Sequence, residues 1–183
     1  MEKFTRTIFL NEVVIQCRFA LMSMSNLRAA LRRGDTIWVF HSAHSFLIFV
    51  ANVSKLFWPD RKTIYKQPDA RTRGDELRRE LEVTQKTPIK DRKFRNHFEH
   101  YDDRIQEWAA SSVRRNYADM NIMPPGAISG IDINDFMRNL EPNTLTLTFH
   151  GESYNLLDAE SEIKRIFSRA CTIREKRSKN SPF

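Results

Sequence analysis

From Ile8 to Arg33 apolar residues recur at Val13, Cys17, Ala20, Met24, Leu27 and Leu31, the three-and-four spacing that puts them on one face of an α-helix. Gly34 then supplies a C-terminal stop, and Asp35 or Thr36 a cap for the next helix. That second stretch is apolar nearly all round until Pro59 ends it after Trp58, so it reads as a helix buried in a bundle. Its longest apolar run, Phe46 to Val53, is interrupted by Asn52 and flanked by Ser45, Ser54 and Lys55. This falls short of the roughly 20 apolar residues that a membrane span requires. Two such helices in succession commit the chain to helix packing, and 13 Phe and 3 Trp against 5 Gly supply the large side chains for it.

Residues 59–74 hold two prolines, a glycine and the basic residues Arg61, Lys62, Lys66, Arg71 and Arg73, which reads as a loop. Asp75 caps a short third helix, Glu76 to about Gln85. Thr87 followed by Pro88 is a hydroxyl cap with proline at the first helical position, opening a fourth helix that runs to about Asn116. At 1.5 Å per residue it would be about 40 Å long. Pro124-Pro125-Gly126 breaks the helical pattern, and Thr144 to Phe149 alternates apolar and β-branched polar residues before His150-Gly151. That is a hairpin turn into a strand from Glu152 to Leu156. Asp158 caps a last helix, Ala159 to about Arg174, and residues 175–183 form a polar, disordered tail. The expected fold is mainly α: a four-helix up-and-down-like bundle with a small β-hairpin and a C-terminal helix. It is one domain over 1–183, with its bundle core at 8–116 and the hairpin and last helix as an appendage at 120–174.

A formal charge of +7 favours polyanionic partners, and the five basic residues of 59–74, with Tyr65 among them, could follow an RNA backbone and stack a base. Cys17 and Cys171 lie far apart, with neither zinc spacing nor a secretory leader before them, so the protein is expected to be cytoplasmic with reduced thiols. His41/His44 and His97/His100 are two i,i+3 pairs on two helices, but the second helix carries no acidic residue to join them. No metal, cofactor or membrane partner is expected.

The chemistry concentrates in Arg92-Lys93-Phe94-Arg95-Asn96-His97-Phe98-Glu99-His100-Tyr101-Asp102-Asp103-Arg104. On a helix, Phe94, Phe98, Tyr101, Ile105 and Trp108 share one apolar stripe facing the core, while Arg95, Asn96, Glu99 and His100 share the polar side. His97 sits at the edge of the stripe. Two pairs fit an Arg-x-x-x-x-His spacing, Arg95 with His100 and Arg92 with His97, and only the first leaves both members on the polar side. An imidazole there can take a proton from a ribose 2′-hydroxyl, and a guanidinium can clamp the phosphate. Glu99 would hold the arginine. The same residues also make an ordinary solvated helix face, Arg95 and Glu99 being a common i,i+4 ion pair.

Arg95, Asn96 and His100 stand in the order Arg-Asn-x-x-x-His, which resembles the signature of HEPN domains, small helical modules many of which are ribonucleases. The resemblance implies a HEPN-like bundle, a homodimer in which two motifs face one cleft, and metal-independent RNA cleavage by Arg95, Asn96 and His100 from both subunits, in defence or stress response. Some toxin members carry a tyrosine two residues after the motif histidine. Here Tyr101 follows at once and Asp102 takes that place, so a protein antitoxin is not indicated. The alternative is a non-catalytic interaction module with the same fold.

Overall fold

The computed structural model describes residues 2–124 and 126–179, the side chains of Lys93, Phe94 and Ser178 excepted. Helix α1 spans Lys3–Arg33 and α2 spans Thr36–Phe57. Gly34 turns the chain between them at φ 68°, and Asp35 is the cap, its carboxylate accepting from the Trp38 N–H at 3.1 Å. Of the residues that predicted α1, Val13, Cys17, Ala20, Met24 and Leu27 are fully buried. The chain is mainly helical, with a small four-stranded sheet and a C-terminal helix.

Contacts divide the chain into two compact units: Met1–Met22 with Ile48–Asp91 and Ala159–Phe183, and Ser23–Leu47 with Arg92–Asp158. In the first, residues 59–74 are not the expected loop, because they hold α3, Arg61–Lys66, and the start of α4, Ala70–Leu81. Asp60 caps α3 by accepting from Thr63 N–H at 2.7 Å, a signal the prolines on either side obscured. Gly74 lies inside α4, where a Cβ would overlap the Phe57 carbonyl. The glycine thus permits close helix approach and breaks nothing. Asp75 is consequently mid-helix and pairs with Arg78, and α4 ends at Glu82 in the left-handed region, φ 53°. Thr87 caps no helix; its hydroxyl donates to Glu162 at 3.0 Å.

The last helix, α7, spans Leu156–Lys179, so residues 175–179 of the expected disordered tail are helical and 180–183 lie outside the described residues. Arg177 pairs there with Glu80, which also accepts from Arg6 Nε at 2.8 Å. Asn155, not Asp158, caps α7, its side-chain oxygen accepting from Leu157 N–H at 2.8 Å and Asp158 N–H at 3.0 Å.

In the second unit the expected 40 Å fourth helix is two short ones, α5 over Lys93–Glu99 and α6 over Tyr101–Ser111. The expected hairpin is present as β3, Thr146–Phe149, and β4, Glu152–Asn155. His150 and Gly151 both take positive φ, 44° and 80°, as a two-residue turn matched to strand twist requires. Strand β3 starts at Thr146 because the buried Glu141 carboxylate accepts from Asn143 and Thr144 N–H and holds them in a turn. The hairpin belongs to a larger sheet, order β1-β2-β3-β4, with β1 (Asn121–Ile122) parallel to β2 (Asn139–Glu141) and the other pairs antiparallel. Strands of two and three residues carry no alternation to read. All three residues of β2 are buried.

Candidate functional site

His100 is the break between α5 and α6. Its φ of −115° and ψ of 44° leave the helical region, yet its N–H donates to Asn96 O at 3.0 Å and its carbonyl accepts from Arg104 N–H at 3.2 Å. Each helix therefore ends on the same residue, with the imidazole at a corner. That side chain is 60% exposed, Nδ1 lying 3.6 Å from an Asp103 carboxylate oxygen.

Arg95, Asn96 and Glu99 occupy the last turns of α5 beside it. The Arg95 side chain is 15% exposed and pairs with Glu99. A second guanidinium nitrogen donates to Asn96 Oδ1 at 3.2 Å, while the buried Nε has no partner among the described residues. The guanidinium is held in place rather than reaching into solvent. A phosphate that approached would compete with the Glu99 carboxylate and find a cation already oriented.

The alternative pair is divided between different tasks. Arg92 immediately precedes α5 at φ −107°. His97 is buried, its Nε2 2.9 Å from Glu152 Oε2 and its ring stacked on Phe149 at 5.4 Å. The expected core stripe is only half a core. Phe98 packs between His44 (4.0 Å) and Phe149 (5.0 Å), Tyr101 meets Phe149 at 5.6 Å, and Trp108 Nε1 donates to Asp135 at 3.0 Å. Ile105 is 38% exposed, and the Phe94 side chain lies outside the described residues.

Beside this stripe is a charged cluster that spacing could not reveal, since its members are 18 and 19 residues apart. Arg138 grips Asp119 with Nε at 2.7 Å and a second nitrogen, and stands over the Tyr101 ring at 4.9 Å. Tyr101 donates to Asp119 at 3.1 Å and shares a 2.7 Å bond with Tyr117. Burial works to raise the Asp119 carboxyl, but hydrogen bonds and charge from Arg138, with Met120 N–H and Tyr101, hold it below the usual carboxylate range. Burial and the bond to Tyr117 push the Tyr101 phenol up. His44 is driven down to about 4 by burial first and by the nearby Arg138 charge second, so it stays neutral. Asp119 is thereby held as a carboxylate, and Tyr101 and His44 are held neutral, around neutral pH.

A polar cleft of about 640 Å³ opens at the far end of α6, lined by Ser111, Ser112, Arg114, Asp132, Asp135 and His150 among others. His150 Nδ1 lies 2.8 Å from the Asn134 carbonyl oxygen, a contact in which the ring nitrogen donates. The sequence marked His150 only as a turn residue. In the other unit, the five basic residues expected to contact RNA are on helices α3 and α4. Arg61, Lys62, Lys66 and Arg71 are exposed, as is Tyr65 at 89%, while Arg73 lies over the Phe9 ring at 4.3 Å. Among the described residues no three His, Cys, Asp or Glu side chains are grouped to hold a metal ion. No family model, curated protein or solved structure matches the chain.

Proposed function

We propose that the protein is a HEPN-like, metal-independent endoribonuclease acting in the cytoplasm as a homodimer, its site built from Arg95, Asn96, Glu99 and His100 of both copies. One observation carries the reading: a solvent-exposed imidazole stands at the end of α5, the helix that also holds a guanidinium oriented by Glu99 and Asn96. His100 of one copy takes the proton of a ribose 2′-hydroxyl as that oxygen bonds to the adjacent phosphorus. The P–O5′ bond breaks and the partner copy's imidazole protonates the leaving oxygen, leaving a 2′,3′-cyclic phosphate. Arg95 opposes the charge that develops on the phosphoryl oxygens, and Asn96 orients it. The exposed cations of α3 and α4 are the proposed RNA track.

A second reading, a non-catalytic interaction module with the same fold, is favoured by the engagement of Arg95 with Glu99 and Asn96. The test is single-stranded RNA cleavage in chelator, with the product's terminus identified. His100→Ala is expected to lose roughly 10²-fold to 10⁴-fold in rate, and Arg95→Ala a comparable amount. His97→Ala should chiefly destabilise the fold. Equal activity of the wild type and His100→Ala overturns the site, and absence of cleavage by folded wild-type protein favours the module.

A further inference from the structure

The connection from β1 to β2 carries Ile128, Ile131, Ile133 and Phe136, and none of these large apolar side chains is buried in the core, Ile133 being 57% exposed. They wall a cavity instead. It has a volume of about 240 Å³, lies within the second unit, and is bordered on the sheet by Asn139 of β2, Thr148 of β3 and Ser153 of β4. Asn139 stands opposite Thr148 in the register and Thr148 opposite Ser153, so these three form one polar row across one face of the sheet. That row has an acceptor and a donor to spare. Asn139 is 6% exposed, and its Nδ2 donates to the Met123 carbonyl at 3.2 Å, which sets the amide's orientation because the flipped one would place two acceptors together. Its buried Oδ1 has no partner among the described residues. Thr148 Oγ1 and Ser153 Oγ share one 2.9 Å bond, and whichever hydroxyl donates in it, the hydrogen of the other is left over.

We infer that this cavity binds a small, uncharged heteroaromatic lactam, a flat ring with an N–H beside a carbonyl. The ring N–H donates to Asn139 Oδ1 and the carbonyl accepts the spare hydroxyl hydrogen of the Thr148/Ser153 pair. Opposed residues on neighbouring strands stand about 4.5–5.5 Å apart, so one lactam edge meets both anchors. The ring faces then lie against the isoleucines and Phe136. An ion is not served here, because no charged side chain lines the cavity among the described residues and a bare charge would lose its hydration without return. Water alone satisfies the row but not the walls, and apolar surface that displaces loosely held water gains affinity. Size narrows the class further. An apolar cavity of about 150 Å³ holds one benzene ring, so this one takes a molecule of one or two fused rings.

The inference stands apart from the nuclease reading, since none of these residues belongs to the Arg95/His100 site. Calorimetric titration of the full chain with quinolin-2-one is expected to give saturable binding with a Kd on the order of 100 μM. Quinoline, which lacks the N–H, should bind roughly 10-fold more weakly. Guanosine and uridine carry the same lactam edge on a sugar, and tighter binding of either than of quinolin-2-one would identify the natural source as a nucleobase. The double variant Thr148→Val/Ser153→Ala removes both hydroxyls and should also weaken quinolin-2-one binding roughly 10-fold, with unchanged circular dichroism. If it fails to fold, Ile133→Trp at the exposed wall replaces it, filling the cavity and abolishing binding. No saturable binding of any of the three lactams, equal binding of quinoline, or binding that survives these substitutions overturns the inference.

Discussion

On one side of α5, His97 stacks on Phe149 and bonds to Glu152 while Phe98 packs between His44 and Phe149. On the other, three residues further along, His100 projects 60% exposed, and its nearest carboxylate is 3.6 Å away. Two chemically identical side chains within one turn thus have opposite surroundings. The first is fixed by aromatic packing and a strand carboxylate, and the second is largely exposed to solvent beside Asp103. What distinguishes them is their place around α5, His97 at the edge of the apolar stripe and His100 on the polar side, where the backbone also leaves helical geometry.

The contrast is tested most severely at Phe149, which is fully buried under three rings. Phe149→Ala should cost about 3–5 kcal/mol in urea denaturation, and a loss below about 1 kcal/mol would mean that the sheet does not hold α5. Next in size is a pH effect from His44. Its pKa falls from 6.5 unfolded to about 4 folded, so between those values the unfolded chain binds the extra proton. Stability is therefore complete above about 6.5 and falls as the pH drops towards 4, by up to about 3 kcal/mol. His44→Leu should flatten that slope in denaturation curves taken at both ends of the window.

Asp119→Ala strips Arg138 of its carboxylate and should cost about 2 kcal/mol, the worth of charge-assisted hydrogen bonds. Because the folded Asp119 pKa is depressed, its contribution is present above the unfolded carboxylate value and fades only as pH falls through the lower folded one, below the His44 window. His44→Leu protein that still loses stability only between 6.5 and 4 would assign the effect elsewhere. The smallest effect is expected on the solvent side. His100→Ala should leave stability within about 0.5 kcal/mol of wild type; a larger loss would show that the corner residue is structural after all.

The long helices and the hairpin were legible because each carries a periodic signal many residues long, as the fully buried Val13, Cys17, Ala20 and Met24 show. The fourth helix misled because its stripe continues in register through Phe98, Tyr101 and Trp108 while the backbone breaks at His100; periodicity registers faces, not continuity. Residues 59–74 misled in the other direction, since a carboxylate cap at Asp60 and a glycine used for close packing look the same in sequence as punctuation. The Arg138–Asp119 grip and the His150 cleft depend on tertiary closure and left no spacing to find. The exposure of His100 was readable from the helical wheel, which put His97 only at the edge of the stripe; its burial and the strand carboxylate that meets it were not.

Helix α5 is seven residues long and has no side-chain cap at its start, too short to persist in water on its own. Its order is borrowed from β4 and Phe149 through His97 and Phe98. Amide hydrogen exchange along residues 95–100 should therefore follow the local opening of that contact rather than the fraying of a helix. Loosening Glu152 or Phe149 would then release Arg95 and Asn96 from their places without touching either side chain.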